Sequence, residues 1–170
     1  AQGHALWQRV FKETSAEYPS IQASHLYIDA LAMLLIKDPS QFQVIVTNNL
    51  FGDIITDLGG ALQGGLGMAA SGNIHPGRTS LFEPVHGSAP KYAGKNIANP
   101  IGAILSAALM LETVGWRDEA ARIEAAVLAA VTARQVTQDV GGSLGTAETG
   151  SWIAEQIRKA LKSPFNFGDR

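Results

Sequence analysis

The chain has 170 residues, of which 46% are hydrophobic and 16% charged, and its 13 basic against 15 acidic residues leave a formal net charge of −2. This is the composition of a folded domain, and without a cationic field it argues against nucleic-acid or acidic-membrane surfaces as partners. With no cysteine, disulfides, thiolate metal sites and cysteine nucleophiles are excluded. The longest apolar stretches are about ten residues, too short to cross a bilayer of ~30 Å. No signal-peptide pattern opens the sequence, so a soluble, cytoplasmic protein is expected.

Leu6, Val10 and Phe11 recur at helical spacing with Trp7 beside them, so residues 5–17 read as a helix ended by Tyr18-Pro19. A sequence that opens inside a helix without Met is expected of a processed or excised chain. Gln22 to Ile28 reads as a strand, after which Asp29 can cap a helix running to Lys37. Phe42 to Thr47 (FQVIVT) is a short run rich in β-branched residues between Asp38-Pro39 and Asn48-Asn49, and predicts a second strand. From Asn49 to about Gln63 the pattern is helical, with Leu50, Ile54, Ile55, Leu58 and Leu62 as the expected buried stripe.

Between Gly64 and Asn99 loops are expected, with Ser80 to Pro84 the best extended segment. Of eighteen glycines, eleven fall within Gly52–Gly102 and three more at Gly141, Gly142 and Gly145, a density that marks tight turns or backbone close to a ligand. Pro100 suits the first turn of an apolar helix reaching about Thr113. Asp118 to Ala133 predicts another helix, and Thr146 can cap the last, with Glu148 or Thr149 near the capping-box position. Alternating strands and helices give an α/β fold class. No GxGxxG follows a strand, which excludes a Rossmann dinucleotide site.

Asp53 and Asp57 lie four residues apart in a helical segment, so both carboxylates share one face, ~5–6 Å apart at Cβ. Like charges there are mildly destabilising unless a cation sits between them, and magnesium or manganese prefers carboxylate oxygen. From spacing alone, two solvated helix carboxylates are the favoured reading. Asp29, by position, reads as a helix cap.

Three longer strings change that balance. NLFGDIITDLGG (Asn49 to Gly60), FEPVHGSAPKYAGKNIANP (Phe82 to Pro100) and ILSAALMLE (Ile104 to Glu112) resemble the β-decarboxylating dehydrogenases. That family includes isopropylmalate, isocitrate, homoisocitrate and tartrate dehydrogenases. The resemblance extends over essentially the whole chain, including VTQDVGGSLGT (Val136 to Thr146), and is nearest to the 3-isopropylmalate dehydrogenases. It implies the isocitrate/isopropylmalate dehydrogenase-like fold and oxidation of a 2-hydroxy acid by hydride transfer to NAD or NADP. Decarboxylation then follows, assisted by Mg2+ or Mn2+.

By the same resemblance, Asp53 and Asp57 are metal ligands of one subunit, and Asp29 is the metal-site aspartate contributed from a neighbouring subunit of a homodimer. The adenine-nucleotide loop is expected over Glu83 to Asn99. His86 packs beside adenine, Gly87, Ser88 and Ala89 bring backbone close to the cofactor, and Asn99 contacts the base. Glu83 and the Leu66-Gly67-Met68 stretch lie toward the nicotinamide. Lys91 stands where NAD-preferring relatives carry an acid, and Lys91-Tyr92 resembles the pair that receives a 2′-phosphate. The further tyrosine and arginine of such sites are matched here by Gln138 and Gly142, so NAD and NADP both stay open.

Family members are about twice this length. The resemblance implies that the arginines clamping the dicarboxylate substrate, the tyrosine proton donor and the catalytic lysine belong to an N-terminal half outside these 170 residues. Arg9, Arg78 and Lys95 form no replacement cluster, so no catalytic residue beyond the metal ligands is expected here, and the chain alone is expected to be inactive. Residues 1–63 are expected to belong to the substrate and dimerisation domain and 64–170 to the cofactor domain. Tartrate or isocitrate dehydrogenase chemistry is the alternative within the family. Outside it stand a non-catalytic nucleotide- or metal-binding remnant and a subunit that needs a separate partner.

Overall fold

The computed structural model describes residues 2–162, which fall into two compact units, one up to Ile55 and one from Thr56. The first holds helices α1 (Gln2–Ala16) and α2 (Ile28–Lys37), and the start of α3 (Asn49–Leu62), which continues into the second. Its core is thin. Among the described residues only Leu31 and Ile55 are buried there.

Two expected strands are absent. Neither Gln22–Ile28 nor Phe42–Thr47 forms a strand, and Val44 is 89% exposed. A β-branched run becomes a strand only when a second edge takes up its amides and carbonyls, and no described segment does so. The expected stripe of α3 is also largely open: Ile55 is buried and Leu58 half-buried, but Leu50, Ile54 and Leu62 are exposed. Asp29 does not take the cap position of α2. Tyr27 stands there without a side-chain bond, and Asp29 occupies the first turn, its Oδ1 accepting from the Ala30 amide at 2.8 Å.

In the second unit, β1 (Ala70–Asn73) pairs antiparallel with β2 (Leu81–Pro84), Ala70 opposite Pro84 and Asn73 opposite Leu81. The sequence ASGN carries no strand signal. It pairs because Gly72 lets the Phe82 ring lie flush, so that a Cβ there would stand 3.0 Å from Phe82 Cδ1. Helix α4 (Ile101–Thr113) packs on both strands and on α5 (Arg117–Thr132), which packs on α6 (Thr146–Lys162). Ile101, Ala126, Val127, Ala130, Val136 and Ile153 form the buried core, with Met68, Leu105 and Trp152 against it.

The ends of these helices are set by specific groups. After α4, Gly115 takes φ 95° while its amide reaches Glu112 O at 3.0 Å and the Trp116 amide reaches Leu111 O at 2.8 Å. This is the paired C-terminal closure that favours glycine. At the start of α6 the expected Thr146 cap is replaced. Thr146 Oγ1 donates to Ala98 O, and Asn96, in the left-handed region at φ 54°, caps the helix from fifty residues away. Asn96 Oδ1 accepts the Ala147 amide at 2.9 Å, and its Nδ2 donates to Glu148 Oε2 at 2.8 Å. The Asn96 and Glu148 groups also crowd the place where a Cβ on Gly145 would stand.

Candidate functional site

The turn after β2 carries the residues expected to meet a nucleotide. His86 is half-buried, and its Nδ1 lies 2.9 Å from the Gly87 carbonyl, a contact that requires the proton on Nδ1. Gly87 has nothing within 4 Å of the place a Cβ would occupy, so its missing side chain keeps the surface open and solves no packing conflict. Ala89 is held at φ 38°, a left-handed conformation costly for a residue with a Cβ. It leads directly into the single 3-10 turn Pro90–Tyr92.

These residues converge with two distant segments. A cleft of about 1100 Å³ is lined by His86, Gly87, Ala89 and Tyr92, by Asn96 to Asn99, by Gly67, and by Gln138, Asp139 and Gly142 to Gly145. A smaller hollow of about 500 Å³ shares His86, Gly87, Ala89 and Tyr92 and adds Ser88 and Thr146. The cleft is large enough for a nucleoside diphosphate, and seven of its fifteen lining residues are Gly, Ala or Ser. Asn99 also closes the start of α4: its Oδ1 accepts the Ile101 amide at 2.9 Å, while Nδ2 donates to Asp139 Oδ2 at 3.0 Å.

Glu83 and Lys91 are outside both linings. Glu83 is exposed on β2 opposite Ser71. Lys91 places Nζ 4.8 Å from the centre of the Tyr92 ring, a cation–π contact, while Tyr92, Gln138 and Gly142 line the cleft itself. Position 142 is closed to any side chain, because a Cβ there would run into the Val136 carbonyl. Asn96 and Asp139 were not expected as site residues. Their only sequence signal is position, Asn96 inside the glycine-rich loop and Asp139 just before Gly141-Gly142.

Asp53 and Asp57 are exposed one turn apart on α3, with Asn49 Nδ2 donating to Asp53 Oδ2 at 2.9 Å. Asp29 is exposed on α2. Among the described residues no three His, Cys, Asp or Glu side chains gather to hold a metal ion. Two exposed carboxylates fit a hard divalent cation that fills its remaining positions with water or other oxygen ligands.

A family profile described as isocitrate/isopropylmalate dehydrogenase matches residues 1–156. The chain belongs to this family. It is 52% identical over 155 residues to the 3-isopropylmalate dehydrogenase of Rhodococcus erythropolis, covering 90% of this chain and 44% of that protein. The corresponding enzyme of Thermobifida fusca is 49% identical over 154 residues, covering 89% and 43%. The chain therefore spans less than half the length of these curated relatives. Among solved structures, isocitrate dehydrogenase from Methylococcus capsulatus superposes with a TM-score of 0.83 at 44% identity, covering 91% of this chain and 46% of that one. An apo β-decarboxylating dehydrogenase from Thermococcus kodakarensis gives 0.83 at 38% identity, covering 100% and 50%. These likenesses bear out the expected α/β fold of the isocitrate/isopropylmalate dehydrogenase type, although the described residues form only two short strands. No described helix is long and apolar enough to cross a membrane.

Proposed function

We propose that this chain supplies the adenine-nucleotide cleft and two metal-binding carboxylates of an NAD(P)-dependent β-decarboxylating dehydrogenase acting on 3-isopropylmalate or a similar 2-hydroxy acid. The supporting observation is the convergence of His86, Gly87, Ala89 and Tyr92 with Asn96 to Asn99, Gly67, Gln138, Asp139 and Gly142 to Gly145 around one cleft. In this reading residues 1–63 belong to the substrate and dimerisation domain and residues 64–170 to the cofactor domain. Asp29 serves the metal site of a second copy in a homodimer.

The residues present act by binding and orientation. His86 offers a ring face to the adenine, Gly87 and Ala89 let the backbone approach the ribose and phosphates, and Asn99 offers amide groups to the base. Asp53 and Asp57 would hold a divalent cation, which would supply Lewis acidity toward the substrate oxygens. A nicotinamide cofactor held in the cleft would supply the hydride acceptor. Tyr92 and Gln138 beside the ribose end leave NAD and NADP both open, and a preference above about tenfold, ~1.4 kcal/mol, decides between them. The likeness at 44% identity to an isocitrate dehydrogenase supports an isocitrate-type substrate as the second reading.

Saturation-transfer NMR with NAD and NADP tests the cleft: saturation of the adenine protons is expected, and its absence for both cofactors sinks the reading. The same sample, given 3-isopropylmalate and Mn2+, is expected to produce no reduced-cofactor absorbance. Turnover would show that residues in this chain perform the acid–base steps assigned elsewhere.

A further inference from the structure

We infer that Asp139 is a positioning residue that locks the orientation of the Asn99 side-chain amide and thereby makes the cleft selective for adenine over a 6-oxopurine. The inference rests on the proposed adenine site and adds a residue and a selectivity to it.

An asparagine amide has two nearly isosteric ends, a donor NH2 and an acceptor oxygen, and a free one can rotate to satisfy whichever ligand edge it meets. Asn99 is not free. On one side the Ile101 amide donates to Oδ1 at 2.9 Å, and on the other Asp139 Oδ2 accepts from Nδ2 at 3.0 Å. The two partners have opposite polarity, so both disfavour the flip, the ionised Asp139 carboxylate more strongly than the neutral Ile101 amide. A flipped amide would set the oxygen against a carboxylate and the NH2 against a backbone N–H.

Asp139 is itself held. Thr137 Oγ1 donates to Asp139 Oδ1 at 2.6 Å, and Thr137 is completely buried. The carboxylate thus bridges a core hydroxyl to a cleft amide. Gly67 makes room for this, since a Cβ there would stand 3.0 Å from both Asn99 Cβ and Asp139 Oδ2.

After these bonds Asn99 has one lone pair on Oδ1 and one N–H on Nδ2 left to offer. That N–H lies toward Met68 Sδ, with Nδ2 at 3.7 Å, a weak acceptor that a ring nitrogen can displace. An acceptor and a donor in fixed order match the 6-amino group of adenine and the ring-nitrogen acceptor beside it. Hypoxanthine carries an oxygen at that position and offers no such pair. A freely flipping amide could serve either base, but a locked one cannot.

Calorimetric titration with NAD and with its hypoxanthine analogue, nicotinamide hypoxanthine dinucleotide, tests the inference. The two ligands carry the same charge, so their affinity ratio is insensitive to removal of the carboxylate's field. The wild-type chain is expected to favour NAD by about tenfold, the order of discrimination of one well-placed amide pair. Asp139→Ala is expected to narrow the ratio to about twofold, whereas Asp139→Asn, whose carbonyl oxygen still accepts from Asn99, keeps most of it. A ratio unchanged in folded Asp139→Ala, or abolished in Asp139→Asn, overturns the inference and leaves the adenine site standing. If the wild-type chain binds neither dinucleotide, the adenine site itself fails, and the inference with it.

Discussion

At the residue scale, the proposed metal carboxylates and Glu148 differ in how they are held. Asp53 and Asp57 share a face through helical spacing alone, but spacing did not separate metal ligands from solvated carboxylates, and only the family resemblance did. Substituting Asp57→Asn should lower Mn2+ affinity, as measured by calorimetry, because it removes an anionic oxygen donor from a site with few others. Unchanged binding would remove α3 from consideration. Glu148 depends on distant contacts. Asn96 Nδ2 donates to its carboxylate and its own backbone amide adds a second bond, together holding its pKa below the ordinary value of 4.5 against a smaller opposing effect of burial. A lowered folded-state pKa means that the stabilisation is complete above about pH 4.5 and is lost as pH falls through the depressed value. Thermal melts of Glu148→Gln should therefore show a shallower acid loss of stability than the wild type. Equal slopes would mean that the Asn96 contact is absent in solution. The sequence placed Glu148 or Thr149 near the capping-box position, but the partner of Glu148 is 52 residues away and has no local signature.

Among the elements, the helices were legible, and of the strands only β2, expected at Ser80 to Pro84 and found at Leu81–Pro84. The boundaries of α3, α4 and α5 lie within one or two residues of those expected from periodicity, and Pro100 stands immediately before α4 as its rigid ring favours. A helix closes its hydrogen bonds within itself, so local pattern suffices. FQVIVT has the better strand composition, yet ASGN forms the strand, because pairing depends on the partner edge. Glycine placement follows the same logic. At Gly142 the obstacle to a side chain is the Val136 carbonyl, itself the acceptor of the Leu144 amide at 3.0 Å, so relief requires backbone movement. Gly142→Ala should cost about 1–3 kcal/mol in chemical denaturation, the usual penalty for overpacking. A neutral result would show that the turn relaxes freely, and would make an arginine-based phosphate site possible at that position.

For the molecule as a whole, apolar surface is distributed unevenly. Tyr27, Met33, Val44 and Ile21 are each more than 60% exposed in the first unit, far beyond scattered surface residues on a self-sufficient domain. The chain is accordingly expected to self-associate, its weight-average mass rising with concentration in sedimentation equilibrium. A monomer at every concentration would contradict this. Composition and motif strings by themselves determined the family, the helical framework and the loop that forms one wall of the cleft, because each is written in contiguous residues. Only the tertiary structure decided that Gly67, Asp139 and Gly142 complete that wall, that Asn96 caps α6, and that two strand-like runs stay unpaired. The cleft wall and the α6 cap turn on contacts between residues distant in sequence, Asn99 with Asp139 40 positions apart and Asn96 with Ala147 51 apart, whose geometry no local pattern encodes.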